Sequence, residues 1–354
     1  MKLEKLGYTD WFKSNTDSNK LDAFQIARIT TVFKDKYFIH TGQNSISAEI
    51  SGKLMFTADS PLDYPTVGDW VYIQSFDNNS FAIIDGIVPR KTILKRKSSG
   101  RKIDVQLIAA NIDCAFIIQS LNEDFNINRL ERYLVMVQDE NIQAIVLLSK
   151  CDLISQADTL NQVNLIQSRF PGMDVIPFSN TNFDGLEQIN LKMKSGLTYC
   201  LLGSSGVGKT TFLNSLLGVH QFDTQSIREK DGKGKHTTSH RQLVSLENGA
   251  MIVDTPGMRE LGNLQVNSGF KTIFDDILEL SKQCLYSDCS HTSEKGCAVQ
   301  KAIKTGKLLK DHFDNYTKMH KETLFNEMSY LEKRNRDKAF GKMIKSVKKS
   351  RRKP

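Results

Sequence analysis

TYCLLGSSGVGKTTFLNSLLG, residues 198–218, is an apolar strand, a glycine-rich turn and the start of a helix in one run. Inside it stands Gly203-x-x-x-x-Gly208-Lys209-Thr210, the pattern of a phosphate-binding loop. Such a loop works by turning backbone N–H groups inward. Those of Ser204, Ser205, Gly206, Val207, Gly208 and Lys209 are expected to ring a β-phosphate, with the positive end of the helix behind them. Glycine at 203, 206 and 208 permits the turn and the close approach of backbone to oxygen. Lys209 is expected to set a point charge between β- and γ-phosphates and the Thr210 hydroxyl to ligate magnesium, with Thr211 next in the same contact.

Working outward, MIVDTPG (251–257) puts Asp254 at the end of an apolar strand, 44 residues after Thr210. A carboxylate there reaches magnesium through water, and Gly257 can offer its N–H to a γ-phosphate. On the other side, the strand AIVLL runs into Ser149-Lys150-Cys151-Asp152. A carboxylate at 152 can accept from both the N1–H and the 2-amino group of guanine, whereas adenine presents neither donor in that position. The Lys150 stem would lie along the base plane. The strand at 174–178 leads into Ser179-Asn180-Thr181, where a backbone N–H can meet the guanine O6. These two motifs resemble the guanine-reading pair of the GTPases but precede the phosphate loop, whereas ordinary GTPases carry them after it. This rotated order is the signature of a circularly permuted GTPase. Strands alternating with helices from residue 114 imply a mostly parallel α/β sheet covered on both faces.

The flanks differ in texture. Residues 26–88 hold about five short alternating strands, ARITTVF, KYFIHTG, SAEIS, GDWVYIQSF and FAIIDGIV, which suit a closed β-barrel of the oligonucleotide-binding (OB) type. Its aromatics Phe33, Tyr37, Phe38, Trp70 and Tyr72 read first as core and second as base-stacking candidates. Residues 1–20 look like a short polar helix and a linker, and the basic stretch 93–105 like a domain boundary. After residue 270 strands give way to Cys284-x4-Cys289-x-His291-x5-Cys297. Three thiolates and an imidazole are the donor set of a closed tetrahedral structural zinc. Cys114, Cys151 and Cys200, each within or beside an apolar run, read as small core residues. The expected domains are an N-terminal segment and barrel over 1–97, a permuted GTPase domain over 98–265, and a zinc-binding module with a basic helical tail over 266–354.

A hydrophobic content of 39% with 25% charged residues is ordinary for folded domains. The longest apolar runs, such as 144–148, are too short to span a bilayer, and the charged start MKLEKLGYTDW lacks a signal core. A cytoplasmic protein with no membrane partner is expected. The net charge of +8 is concentrated at the end: from Glu332 onward eleven Lys/Arg stand against Glu332 and Asp337. That tail suggests a polyanionic partner, nucleic acid first, with a solvated tail as the plainer alternative. Phe340, Met343, Ile344 and Val347 fall at helical spacing among the lysines, giving a basic amphipathic helix that docks on RNA or packs on the protein body.

Taken together, the chain resembles the bacterial ribosome small-subunit-dependent GTPases, the RsgA or YjeQ family. The resemblance rests on GDWV (68–71), PRKTILKR (89–96), AANIDCAFIIQS (109–120), NRLERYL (128–134), the rotated motifs and the cysteine cluster, and covers nearly the whole chain. It implies a monomer that binds the small (30S) ribosomal subunit and its rRNA late in maturation and hydrolyses GTP to GDP and phosphate with Mg2+. It also implies one structural Zn2+ per chain. By the same resemblance GKGKHTTSH (232–240) is the first switch loop. Thr237 and Thr238 are then candidates to cap magnesium and γ-phosphate, and His236 to orient the attacking water. Met258 stands where many GTPases place Gln, so slow unassisted turnover is implied. Ser149 stands where the family usually has Asn or Thr, and its shorter side chain is expected to weaken contact with the base or phosphate loop. Two other readings exist. One is an RNA-binding assembly factor using GTP mainly as a conformational clamp, which a hydrolysis-dead but GTP-binding variant would distinguish. The other, a P-loop ATPase or small-molecule kinase, is disfavoured by Asp152 and the RNA-suited flanks.

Overall fold

A computed structural model describes residues 3–33, 36–97, 105–122, 124–218, 241–254, 268–327 and 332. They form two compact units, the first running to the end of the 251–254 strand and including 268–273, the second beginning at Phe274.

The first unit opens with a turn of 3-10 helix at Leu3–Leu6 and the short helices α1 (Asp10–Asn15) and α2 (Ser18–Leu21). The alternating segments that follow become β1 (Gln25–Val32), β2 (Tyr37–His40), β3 (Ser45–Ile50), β4 (Trp70–Phe76) and β5 (Phe81–Ile87), with α3 (Gly52–Thr57) between β3 and β4. They pair in the order β1-β2-β3-β5-β4, and β4 returns to β1, closing the barrel. Period-two alternation fills its interior with Ile29, Ile39, Ala48, Ile73 and Ile84. The N-terminal segment, expected to be a short polar helix and a linker, is helical in part and joins the packing. Leu6, Tyr8 and Phe12 are buried with Ile26, Trp70, Tyr72 and Val88 in a separate cluster, and Tyr8 meets Trp70 edge-on with ring centroids 4.8 Å apart. Trp70, Tyr72 and Tyr37 are therefore core residues, while Phe33 is 41% exposed.

The stretch 93–105, expected as a domain boundary, begins and ends in strands. Its ends lie in β6 (Ile93–Lys97) and β7 (Val105–Ala110), which pair as an antiparallel hairpin. Then come β8 (Cys114–Ser120), α4 (Ile127–Asp139), β9 (Gln143–Ser149), α5 (Gln156–Arg169), β10 (Val175–Pro177), α6 (Leu186–Lys192), β11 (Thr198–Leu202) and α7 (Lys209–Leu217). After these stand β12 (Arg241–Ser245), β13 (Met251–Asp254) and α8 (Ser268–Ile273). The parallel strands run β10-β9-β8-β11-β13. Successive side chains of β8 feed opposite cores, Phe116 and Ile118 into one and Ala115 and Ile117 into the other, as a strand covered on both faces requires. From β8 the chain proceeds to β9 on one side, and from β11 to β13 on the other. The switch point, where ligands gather at carboxyl ends of such strands, therefore lies between β8 and β11.

Sequence patterning did not suggest β12, a five-residue strand without clear alternation. It pairs antiparallel with β13 and also with β1, at Thr31↔Gln242 and Val32↔Arg241. Barrel and α/β layer thereby share one eleven-stranded sheet. Where α8 meets α4, Gly269 comes so close that a Cβ would lie 2.5 Å from the Val135 carbonyl oxygen. Its N–H donates to Asp139 Oδ1 at 2.8 Å.

The second unit contains α9 (Asp275–Ser281), α10 (Ala298–Lys304) and α11 (Lys310–Glu327). Phe274 packs against His312 and, edge-on, against Tyr316 within it, and His312 Nε2 lies 3.1 Å from Asp276 Oδ1. Among the described residues no helix is long and apolar enough to cross a membrane.

A fully buried guanidinium, Arg28 on β1, ties the first unit together. It donates to the carbonyls of Leu6 and Gly68 and to Thr198 Oγ1 at 2.9 Å, and lies over the Trp70 ring. Arg28→Ala would leave these acceptors stranded around a void, so we expect a loss of about 3–5 kcal/mol. Urea unfolding should show a lower midpoint with unchanged slope; a wild-type midpoint would contradict this role for Arg28.

Candidate nucleotide site and metal centre

The phosphate loop leaves β11 at Gly203, whose φ is +152°. A Cβ there would stand 2.4 Å from the Ile118 carbonyl oxygen, so packing of the loop against β8 demands glycine. Gly206 and Gly208 also have positive φ, and a Cβ at Gly208 would stand 2.8 Å from Asn180 Nδ2. Lys209 begins α7 and its Nζ turns back to the carbonyls of Gly203 at 2.8 Å and Ser204 at 2.7 Å. Burial pushes its pKa down to about 8, with Asp254 drawing it back up. Asp254 is buried at the end of β13. Thr210 is half-buried on the first turn of α7, and Thr211 is exposed there.

The loops expected to read guanine converge on this turn. Ser149, fully buried, donates to the Val207 carbonyl at 2.7 Å. Its short side chain therefore keeps a hydrogen bond of ordinary length to the phosphate loop. Asn180 Nδ2 donates to the Gly208 carbonyl at 3.3 Å. The Ser179 hydroxyl accepts from the Thr181 N–H at 3.0 Å, shaping its own turn. Lys150 adopts a left-handed backbone, φ 62°, and the Cys151 N–H then donates to the Phe178 carbonyl at 3.3 Å, joining the two loops. Asp152 is exposed beside them. His236, Thr237, Thr238 and Gly257 lie outside the described residues, as does the 336–349 segment.

Sequence reasoning passed over one neighbour of the loop. Ser204 Oγ donates to Asp124 Oδ2 at 2.8 Å, and Asp124 is gripped by Arg129 at 2.9 and 3.1 Å. The signal lay in the acidic residue shortly before NRLERYL and in the first arginine of that stretch, which served only for the family resemblance.

In the second unit, Cys284, Cys289, His291 and Cys297 bring their ligand atoms within 4.8 Å of one another. Cys284 Sγ lies 3.9 Å from Cys297 Sγ, and His291 Nδ1 lies 3.5 Å from both. The other imidazole nitrogen, Nε2, is 3.1 Å from Ser281 Oγ, which donates to the Ile277 carbonyl. That contact fixes the ring with Nδ1 toward the thiols, as an outer partner of a ligating histidine does. All four residues suit a single metal ion.

Comparison with known proteins agrees with this geometry. The family model described as RsgA GTPase matches residues 87–264. The small ribosomal subunit biogenesis GTPase RsgA 1 of Listeria innocua is 41% identical, over 92% of this chain and 90% of its own. The chain belongs to the RsgA GTPase family. A Vibrio parahaemolyticus relative, RsgA 2, is 34% identical over 99% of this chain and 94% of its own. Among solved structures, YjeQ from Thermotoga maritima superposes with a TM-score of 0.62 at 22% identity, covering 85% of this chain and 99% of that one. YloQ, a circularly permuted GTPase, gives 0.60 at 24%, covering 87% and 97%. The RsgA architecture is thus an OB-type barrel, a circularly permuted α/β P-loop GTPase and a helical module with a Cys/His cluster.

If the cluster holds metal, protein purified without chelator should carry one equivalent per chain. Cys289→Ser should lose it and melt residues 274–327, seen as lost helical circular dichroism. Metal-free wild-type protein by elemental analysis would refute the site.

Proposed function

We propose that this RsgA-family chain is a cytoplasmic monomer that binds the small ribosomal subunit through its rRNA and hydrolyses GTP to GDP and phosphate late in subunit maturation. The observation that supports it best is the meeting of loops at the switch point: Ser149 and Asn180, from the motifs that precede the phosphate loop, hydrogen-bond to its Val207 and Gly208 carbonyls. A base read by Asp152 would then be fixed relative to phosphates held at 203–210. The domain division at 97/98 and 265/266 is part of the same reading.

In this reading Lys209 binds between β- and γ-phosphates, and the buried Asp254 carboxylate and the Thr210 hydroxyl hold Mg2+ with one of Thr237 or Thr238. Bound Mg2+ supplies charge neutralisation for the transferring phosphoryl group. Gly257 meets the γ-phosphate, and His236 orients the attacking water in the place of the glutamine that Met258 cannot mimic.

We take the metal of the Cys/His cluster to be zinc. Zinc bonds of about 2.3 Å to sulfur and 2.05 Å to nitrogen place S–S and S–N pairs about 3.8 and 3.6 Å apart in a tetrahedron. The separations of 3.9 and 3.5 Å are close to this. With four protein donors the ion is structural and folds a module too small for a large core of its own.

GTP hydrolysis measured with and without purified small subunits tests the function, and a rate the subunits leave unchanged would contradict it. Asp152→Asn should weaken GTP binding and favour xanthosine triphosphate, because an amide matches the xanthine carbonyl; equal GTP affinity in variant and wild type would remove Asp152 from base recognition. Deleting 332–354 should weaken subunit binding and flatten its dependence on salt, since eleven cations no longer release counterions. Co-sedimentation over a salt series reads this, and an unchanged slope would exclude the tail.

A further inference from the structure

We propose that Asp124 is a positioning residue of the nucleotide site, which sets the front of the phosphate loop through Ser204 and is itself set by Arg129. The inference rests on residues 203–210 being the phosphate loop of that site.

The carboxylate is fixed from two directions. From β8, Ser120 Oγ donates to Asn122 Oδ1 at 2.8 Å, and the same oxygen accepts the Asp124 N–H at 3.1 Å. From α4, Arg129 grips both carboxylate oxygens and also donates to the Asp124 carbonyl. The Arg129 N–H is in turn capped by the Asn126 side chain at 3.0 Å. A bidentate guanidinium holds both distance and plane. Ser204 Oγ completes the arrangement at 2.8 Å across 80 residues of sequence.

On the loop side, the rear is fixed by Ser149 on Val207 and Asn180 on Gly208. At the front Ser204 is held twice, its carbonyl by Lys209 Nζ and its hydroxyl by Asp124. Without Asp124, the front depends on Lys209, the group that must also meet the phosphates. The Ser204 side chain is thus engaged away from the phosphate position, and its contribution there is its backbone.

Charge adds a second, opposite requirement. A bare carboxylate beside a polyphosphate site repels the ligand. Partial burial pushes the Asp124 carboxyl up, yet hydrogen bonds from Arg129 and Ser204 outweigh it and hold the group below its ordinary value. Asp124 is therefore ionised at neutral pH, and Arg129 with nearby Lys150 must neutralise it. Losing Arg129 should harm nucleotide binding more than losing Asp124 does.

The test measures Kd for GDP and KM and kcat for GTP on the full chain, with melting curves alongside. Asp124→Ala and Ser204→Ala should each raise Kd and KM roughly five- to tenfold, with kcat little changed. Their combination should be no worse than either alone. Asp124→Asn, which keeps an acceptor for Ser204, should recover much of the affinity. Arg129→Ala should exceed Asp124→Ala in its effect, and adding Asp124→Asn to it should restore binding. Wild-type affinity in both Asp124→Ala and Ser204→Ala, or losses that multiply in the double variant, would overturn the proposal. So would an Arg129→Ala defect that Asp124→Asn does not relieve. Lys209→Ala separates the underlying reading. Loss of GDP binding there beside intact binding in Asp124→Ala sinks this inference alone, whereas retained binding in Lys209→Ala sinks the site assignment with it.

Discussion

Taking a guanidinium out of water costs several kcal/mol, and in the first unit that cost is met by a ring of acceptors drawn from distant parts of the chain. Arg28 collects the Leu6 carbonyl from the N-terminal segment, the Gly68 carbonyl from before β4, and the Thr198 hydroxyl at the start of β11. Burial lowers its pKa to about 10, with Asp113 and Asp69 pulling it back up, so it remains a cation at neutral pH. Asp69 is in turn clamped by Arg90 through two bonds of 2.8 Å. Gly68, at φ +90°, comes so close to β7 that a Cβ would stand 2.2 Å from the Ala110 carbonyl oxygen. The GDWV and PRKTILKR segments are therefore halves of one joint. Since β11 starts at Thr198 and ends one residue before Gly203, that joint also fixes the strand that presents the phosphate loop.

Rotation of the motif order changes which loops are covalently near one another, but leaves their meeting place at the carboxyl ends of β8, β9, β10 and β11. Besides Lys209 of the turn itself, the side chains that hold the phosphate turn, Asp124, Ser149 and Asn180, come from earlier in the chain. They act on consecutive parts of it, at Ser204, Val207 and Gly208. Such side chains hold the turn at its front and rear while its backbone N–H groups stay open toward phosphate.

Much of this was legible because it obeys short rules. The phosphate turn announces itself through glycine spacing and a following Lys-Thr, the barrel through period-two alternation, and the metal cluster through clustered donors. What escaped depends on long-range partners. Leu6, Tyr8 and Phe12 are three apolar residues in a polar stretch, and nothing local says that Trp70 waits for them. The five residues of β12 form a strand because β1 and β13 flank them. The contact of Ser149 was underestimated from its length, since reach depends on how closely the Val207 carbonyl approaches. Asp124 went unmarked because nothing local says that the Ser204 hydroxyl meets it 80 residues later.

The two ends of the eleven-stranded sheet are finished differently. At one end β1 continues into the barrel, where pairing curls back on itself and leaves no terminal strand. At the other, β10 is three residues long and stops at Pro177. The Phe178 N–H points inward to the Leu148 carbonyl, so by alternation the backbone nitrogen of Pro177 faces outward, where it has no hydrogen to donate. A foreign strand arriving at that rim meets a short, donor-poor border. The largest sheet among the described residues is thereby guarded against templating its own aggregation.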